Sequence, residues 1–94
     1  MADVEILRLP SRFDYSHHRQ FSDSYAPYID NDSIKEVVLD FSHVEYLDSS
    51  ALGMMVMMQK KITAKGKTVK VKGARGATEE ILKMANMQKL FEFV

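Results

Sequence analysis

An α/β fold, with a small mixed, mostly parallel sheet and interspersed helices, is what the sequence predicts, and three observations lead there. Two runs rich in β-branched residues, at 37–41 and 68–72, have the length of strands rather than helices. Segments with apolar residues at helical spacing lie between and beside them. Pro10, Gly66, Gly73 and Gly76 fall at the boundaries, where chain reversals need them. Strands and helices alternating in this way give parallel neighbours joined by right-handed crossovers. With 94 residues and no linker or repeat, residues 1–94 are expected to form a single domain with one core.

The elements follow in order. Residues 4–9 predict a first strand, stopped by Pro10. Ser16 is a candidate cap for a helix to about Ala26, with Phe21, Tyr25 and then Tyr28 or Ile29 inward and Pro27 ending or kinking it. Val37, Val38, Leu39 and Phe41 make the central strand. Asp48, Ser49 and Ser50 are the residue types that cap a helix, which then runs to about Lys65 with Gly66 as its left-handed terminator. Val69 and Val71 point inward from the next strand. A third helix opens near Thr78, pairs Glu79 with Lys83, turns Ile81, Leu82 and Ala85 to the core and closes at Asn86, before a short apolar tail at 90–94.

Composition excludes several functions. Thirteen basic and thirteen acidic side chains cancel, so overall charge argues for neither nucleic acid nor a membrane surface. The absence of cysteine removes disulfides and thiolate metal sites. No charged-then-apolar leader and no run of bilayer length is present, so direct membrane insertion is not expected and a cytoplasmic location is. Residues 60–75, from Lys60 to Arg75, carry seven basic side chains and no acidic one, which reads as a solvated helix end and a lysine-protected strand, with a nucleic-acid-binding face as an alternative.

Chemical motifs are weak. Gly66-Lys67-Thr68 ends like a phosphate loop, but Lys61 stands where its first glycine belongs and a strand follows it. His17 and His18 are adjacent and diverge by about 100° on a helix, so they do not share a metal. Ser49 and Ser50 lack the glycine-framed elbow of a hydrolase nucleophile. Asp14, Asp40 and Asp48 are candidates to converge near the strand ends. Gly73-Ala74-Arg75-Gly76 matches the GxxG loop of an RNA-binding module but joins a strand to a helix rather than two helices. Neither a catalytic group nor a metal or other cofactor is expected.

The wheel of the second helix is more informative. Ala51, Leu52, Met55, Val56, Met58 and Ile62 share one face, the expected core face. Ser50, Gly53, Met54, Met57, Lys60, Lys61 and Ala64 fall on the other, where exposed methionines suit a protein partner.

The stretch VVLDFSHVEYLDSSALG looks like the signature of STAS domains, specifically the anti-sigma factor antagonist branch: an apolar strand ending in Asp, a short apolar link, then Asp-Ser-Ser opening a helix. Phe13-Asp14 is similar to the family's apolar-Asp pair before the first helix, and GKTVKVKGA and the closing helix follow in order, so the resemblance covers about 80 residues. It implies a phosphorylation switch: the serine after the Asp, here Ser49 with Ser50 as second choice, is phosphorylated by a serine kinase that is often itself an anti-sigma factor and restored by a serine phosphatase. The unmodified form binds that partner and the phosphorylated form releases it. Asp14, Asp48, Ser49, Ser50, Ala51, Gly53, Met54 and Met57 are the expected partner-binding residues. A STAS-like adaptor subunit of a membrane transport complex, never phosphorylated, is the alternative from another class. Ala51 departs from the family's usual glycine, and there is room for only one good strand before Phe13, which leaves a sheet edge more exposed.

Overall fold

The structure, a computed structural model, describes residues 3–94. Four strands form the main sheet: β1 (Val4–Arg8), β3 (Glu36–Asp40), β5 (Thr68–Lys72) and β6 (Glu92–Phe93), in the order β1-β3-β5-β6. Every described pairing is parallel, with Ile6 level with Val38, Val38 with Lys70, and Lys70 with Glu92. Helices α1 (His18–Ile29), α2 (Ser49–Thr63) and α3 (Gly76–Met84) make the crossovers. Connections that always step the same way across a sheet, with one hand, put their helices on one face. Burial agrees: Val37, Leu39, Val69 and Val71 on that face are at most 5% exposed, whereas Val4, Ile6, Thr68 and Lys72 face outward and are exposed.

A second, two-stranded ribbon pairs β2 (Arg12–Phe13) with β4 (Tyr46–Leu47), Phe13 level with Leu47. Phe13 and Leu47 are both buried, and Phe13 meets Phe21 and Phe41 edge-on at centroid distances of 5.2 and 6.3 Å. Such contacts between aromatic edges and faces fix ring orientation beyond simple burial.

Several local expectations are corrected. Asp14, not Ser16, caps the entry to α1: a 3-10 turn at Tyr15–His17 precedes the helix, and the Asp14 carboxylate accepts the Ser16 N–H at 3.0 Å. Pro27 does not stop α1, which continues to Ile29; the proline is on the exposed side, where water can serve the carbonyl it leaves unpaired. Helix α3 opens at Gly76, so Thr78 is already inside it and buried, donating its hydroxyl to the Val44 carbonyl. Ile81 is 36% exposed rather than core; Leu82, Met87 and Phe91 fill that space because the nine-residue helix gives way to a 3-10 turn at Met87–Lys89. The tail is a strand, β6, which closes the far edge of the sheet.

Candidate functional site

Residue type and spacing set the ends of α1 and α2. β2 and β4 lie side by side in register at Phe13 and Leu47, and the next residue on each chain is an aspartate, Asp14 and Asp48. Each aspartate leaves its strand in extended conformation and turns its carboxylate onto the first N–H groups of a helix. Asp48 accepts the Ala51 N–H at 3.0 Å and the Ser50 hydroxyl at 2.7 Å. Asp14 accepts the Ser16 N–H, the Ser16 hydroxyl and the Arg12 guanidinium, the last at 2.8 Å. The Ser16 hydroxyl first, and Arg12 next, hold the Asp14 carboxyl below the usual carboxylate range. Arg12 also lies over the Tyr46 ring at 4.4 Å, so cation and aromatic ring brace the ribbon that carries both caps.

Ser49 is the first residue of α2 and is exposed, with Asp48 before it doing the capping. Its hydroxyl is therefore spare, at the end of a 15-residue helix whose free N–H groups favour negative charge. Ser50, half-buried, is held by Asp48 and points along the cap. Ala51 is fully buried, so its methyl group, absent from the family's usual glycine, faces the core and not a partner.

From Ser49 an exposed stripe runs at four-residue spacing through Gly53 and Met57 to Lys61. Met57 is 53% exposed. A Cβ on Gly53 would meet nothing within 4 Å, so no neighbour in this chain requires the glycine. Met54, expected on this outward face, is instead 6% exposed. The reason is α1, which lies along that flank of α2 and brings Phe21 and Tyr25 against it, so the buried face is wider than a single-helix wheel shows. Leu52 and Val56, expected in the core, are only half-buried at its margin. Between the helices is a groove of about 440 Å³, with Met54 in its lining beside Tyr15, His18, Ser50, Gly53 and Met57. Sequence reasoning missed Tyr15 and His18, whose rings stack at 4.9 Å at the start of α1; nothing in the periodicity of either helix marks them as neighbours of α2.

Asp14, Asp40 and Asp48 do not converge. Asp40 ends the central strand, accepts the Ser42 N–H at 2.9 Å and faces Arg8, and the Ser42 backbone bond is what chiefly lowers its pKa. Among the described residues no three His, Asp or Glu side chains are grouped as a metal would need. The basic stretch is also not one open face. Lys67 is 7% exposed and donates to the carbonyls of Asn31 and Ile34, while Lys70 binds Glu36 at 3.1 Å, a contact that raises its pKa. Lys67 thus ties together the loops that lead into β5 and β3, and Lys70 holds β5 to β3. No helix among the described residues is long and apolar enough to cross a membrane.

A family model described as "Mlab, STAS domain" matches residues 2–92. The chain is 27% identical over 86 residues to a STAS-domain containing protein, PA14_20770, of Pseudomonas aeruginosa, covering 92% of this chain and 83% of that one. Among solved structures it superposes on a putative anti-sigma factor antagonist of Thermotoga maritima, TM1081, with a TM-score of 0.81 at 22% identity, over 99% of this chain and 80% of that one. A sulfate transporter family protein of Wolinella succinogenes gives 0.82 at 15%, over 99% and 78%. The Bacillus cell fate determinant SpoIIAA in its phosphorylated form gives 0.75 at 12%, over 100% and 85%. At such identities the structural likeness is one of fold.

Proposed function

Because the chain belongs to the STAS domain family, we propose that it is a phosphorylation-switched binding module of the anti-sigma factor antagonist kind. In this reading the unmodified protein docks on a serine kinase or anti-sigma factor through the start of α2 and the stripe Ser49, Gly53, Met57, with Ser50 and Met54 lining the adjoining groove and Asp14 and Asp48 fixing the turns that open onto it. Phosphorylation at Ser49 releases that partner and a phosphatase restores the first state. The protein performs no catalysis of its own.

One observation carries the reading: Ser49 is exposed and free of capping duty, because Asp48 fills that role. A phosphate there brings about −1.5 to −2 charges and three acceptor oxygens. The helix N-terminus tolerates that charge, so the fold is left standing. A docked partner has to desolvate the same dianion beside the Asp48 carboxylate, and a buried uncompensated charge costs several kcal/mol. Fold and docking therefore respond differently to one modification. The solved structure of SpoIIAA in a phosphorylated form supports the class of switch.

The likeness to a sulfate transporter family protein favours a second reading, an adaptor that stays unphosphorylated within a membrane transport complex. Capture from the host with immobilised Ser49→Ala and Ser49→Asp variants separates the two. The switch predicts that Ser49→Ala retains a protein with a serine-kinase fold and Ser49→Asp loses it. Equal retention of transporter subunits by both variants would overturn it.

A further inference from the structure

The edge of the sheet at β1 is built to pair with itself, and we propose that this strand joins two copies of the chain into one continuous sheet. Hydrogen-bond directions establish what the edge offers. The Asp3 carbonyl accepts from the N–H groups of Lys35 and Glu36, and the Leu9 N–H donates to the Asp40 carbonyl. In a parallel pair, alternate residues direct both backbone groups to the same neighbour. The odd residues of β1 therefore bond inward to β3, and Val4, Ile6 and Arg8 present three N–H and three C=O groups along an edge that no strand among the described residues covers. Their side chains lie outward too, Val4 at 41% and Ile6 at 56% exposure. All five residues pair with β3 in unbroken register, so no bulge twists the edge away, and no proline interrupts it. The opposite edge, β6, is two residues long and carries an exposed Glu92, the usual protections.

The occupant follows from counting registers. An antiparallel copy that keeps the same face of each sheet in line can centre on Glu5, Ile6 or Leu7. Centring on Ile6 sets Val4 opposite the partner's Arg8 and Ile6 opposite the partner's Ile6, and satisfies all three N–H and all three C=O groups on both strands. Glu5 then faces Leu7 of the other copy, so no like charges are opposed. Centring on Glu5 opposes two glutamates, which is destabilising, and centring on Leu7 sets Val4 opposite the partner's Pro10, which has no N–H to give. A second copy thus complements this edge in hydrogen bonds, charge and apolar contact at once. Strand addition over five residues buries less than the roughly 1,000 Å² of a stable interface, so the dimer is weak and forms at micromolar to millimolar concentration. It does not depend on the Ser49 switch.

Sedimentation velocity of the chain up to millimolar concentration tests this, alongside Ile6→Lys, which places a charge opposite its own copy. The expected result is a concentration-dependent dimer whose dissociation constant rises about tenfold or more in Ile6→Lys. The melting curve of that variant reports separately that the monomer still folds. Register is read by cross-linking, since the chain has no cysteine. Val4→Cys mixed with Arg8→Cys should form a heterodimeric disulfide, the Cα atoms being about 5.5 Å apart, while Val4→Cys alone, about 14 Å from its copy, should not. A monomer at every concentration, as when some other segment already covers β1, overturns the proposal. So does a dimer indifferent to Ile6→Lys, or Val4→Cys bonding to itself as readily as to Arg8→Cys.

Discussion

Replacing Gly53 with alanine sets the fold and the proposed docking surface against each other. Gly53 lies in the first half of α2, one turn beyond Ser49 on the exposed stripe. Glycine inside a helix costs about 0.8–1.0 kcal/mol relative to alanine, through backbone entropy lost on folding. That cost is normally accepted where a side chain would collide, yet a Cβ here meets nothing within 4 Å. Its φ is not in the positive range either; the glycines with positive φ are Gly66, Gly73 and Gly76. Gly53→Ala should therefore stabilise the domain by about 1 kcal/mol, a rise in melting temperature of about 4–8 °C for a chain of this size. Thermal unfolding followed by circular dichroism reads that directly. The same methyl group, added to the Ser49→Ala bait, should lower partner retention, because the bare backbone is then a close-approach point for the docked chain. A variant that is less stable would show that something in the fold needs the glycine. A variant that is more stable and docks undiminished would remove the stripe from the interface.

The other expectations are simpler. Ser49→Asp adds an acid at the first position of α2, so stability should stay level or rise by about 0.3–1 kcal/mol while partner binding falls, measured by urea titration and pull-down. Met57→Asp should reduce binding with stability changed by no more than about 0.5 kcal/mol, since the side chain is half in solvent. Lys67→Met strands the Asn31 and Ile34 carbonyls of a buried site and should cost about 1–3 kcal/mol in chemical denaturation. Acid should destabilise the protein through Asp14 and Asp40. Both carboxyls have folded pKa values below the ordinary 3.8, so their stabilisation is complete above that value and is lost as pH falls below it through the folded values. Asp14→Asn should flatten that acid limb in a pH series of melts.

The fold was largely legible because its determinants are short-range. Alternation at Val69 and Val71, the β-branched run at Val37–Val38, and the Asp-Ser-Ser opening of α2 each state their element within a few residues. What failed was long-range or depended on neighbours. A helical wheel sets Met54 outward because it carries no information about α1 lying against α2. Lys67 read as part of a basic surface, although its ammonium reaches back to carbonyls more than thirty residues away in sequence. The pairing of β2 with β4, two residues each, carries no periodicity at all, yet Asp14 and Asp48 each follow directly on its last pair, Phe13 and Leu47. The cap context in the sequence points to Ser49, and its hydroxyl is spare because the preceding aspartate does the capping that either serine could have done.

Mapping of phosphate on protein isolated from its own host bears most directly on the switch. Intact-mass and fragmentation spectra of the native chain should show a population carrying one phosphate, located on Ser49, and that population should melt at the temperature of the unmodified form. Finding no phosphate under any growth condition, or finding that its addition unfolds the domain, would contradict the account.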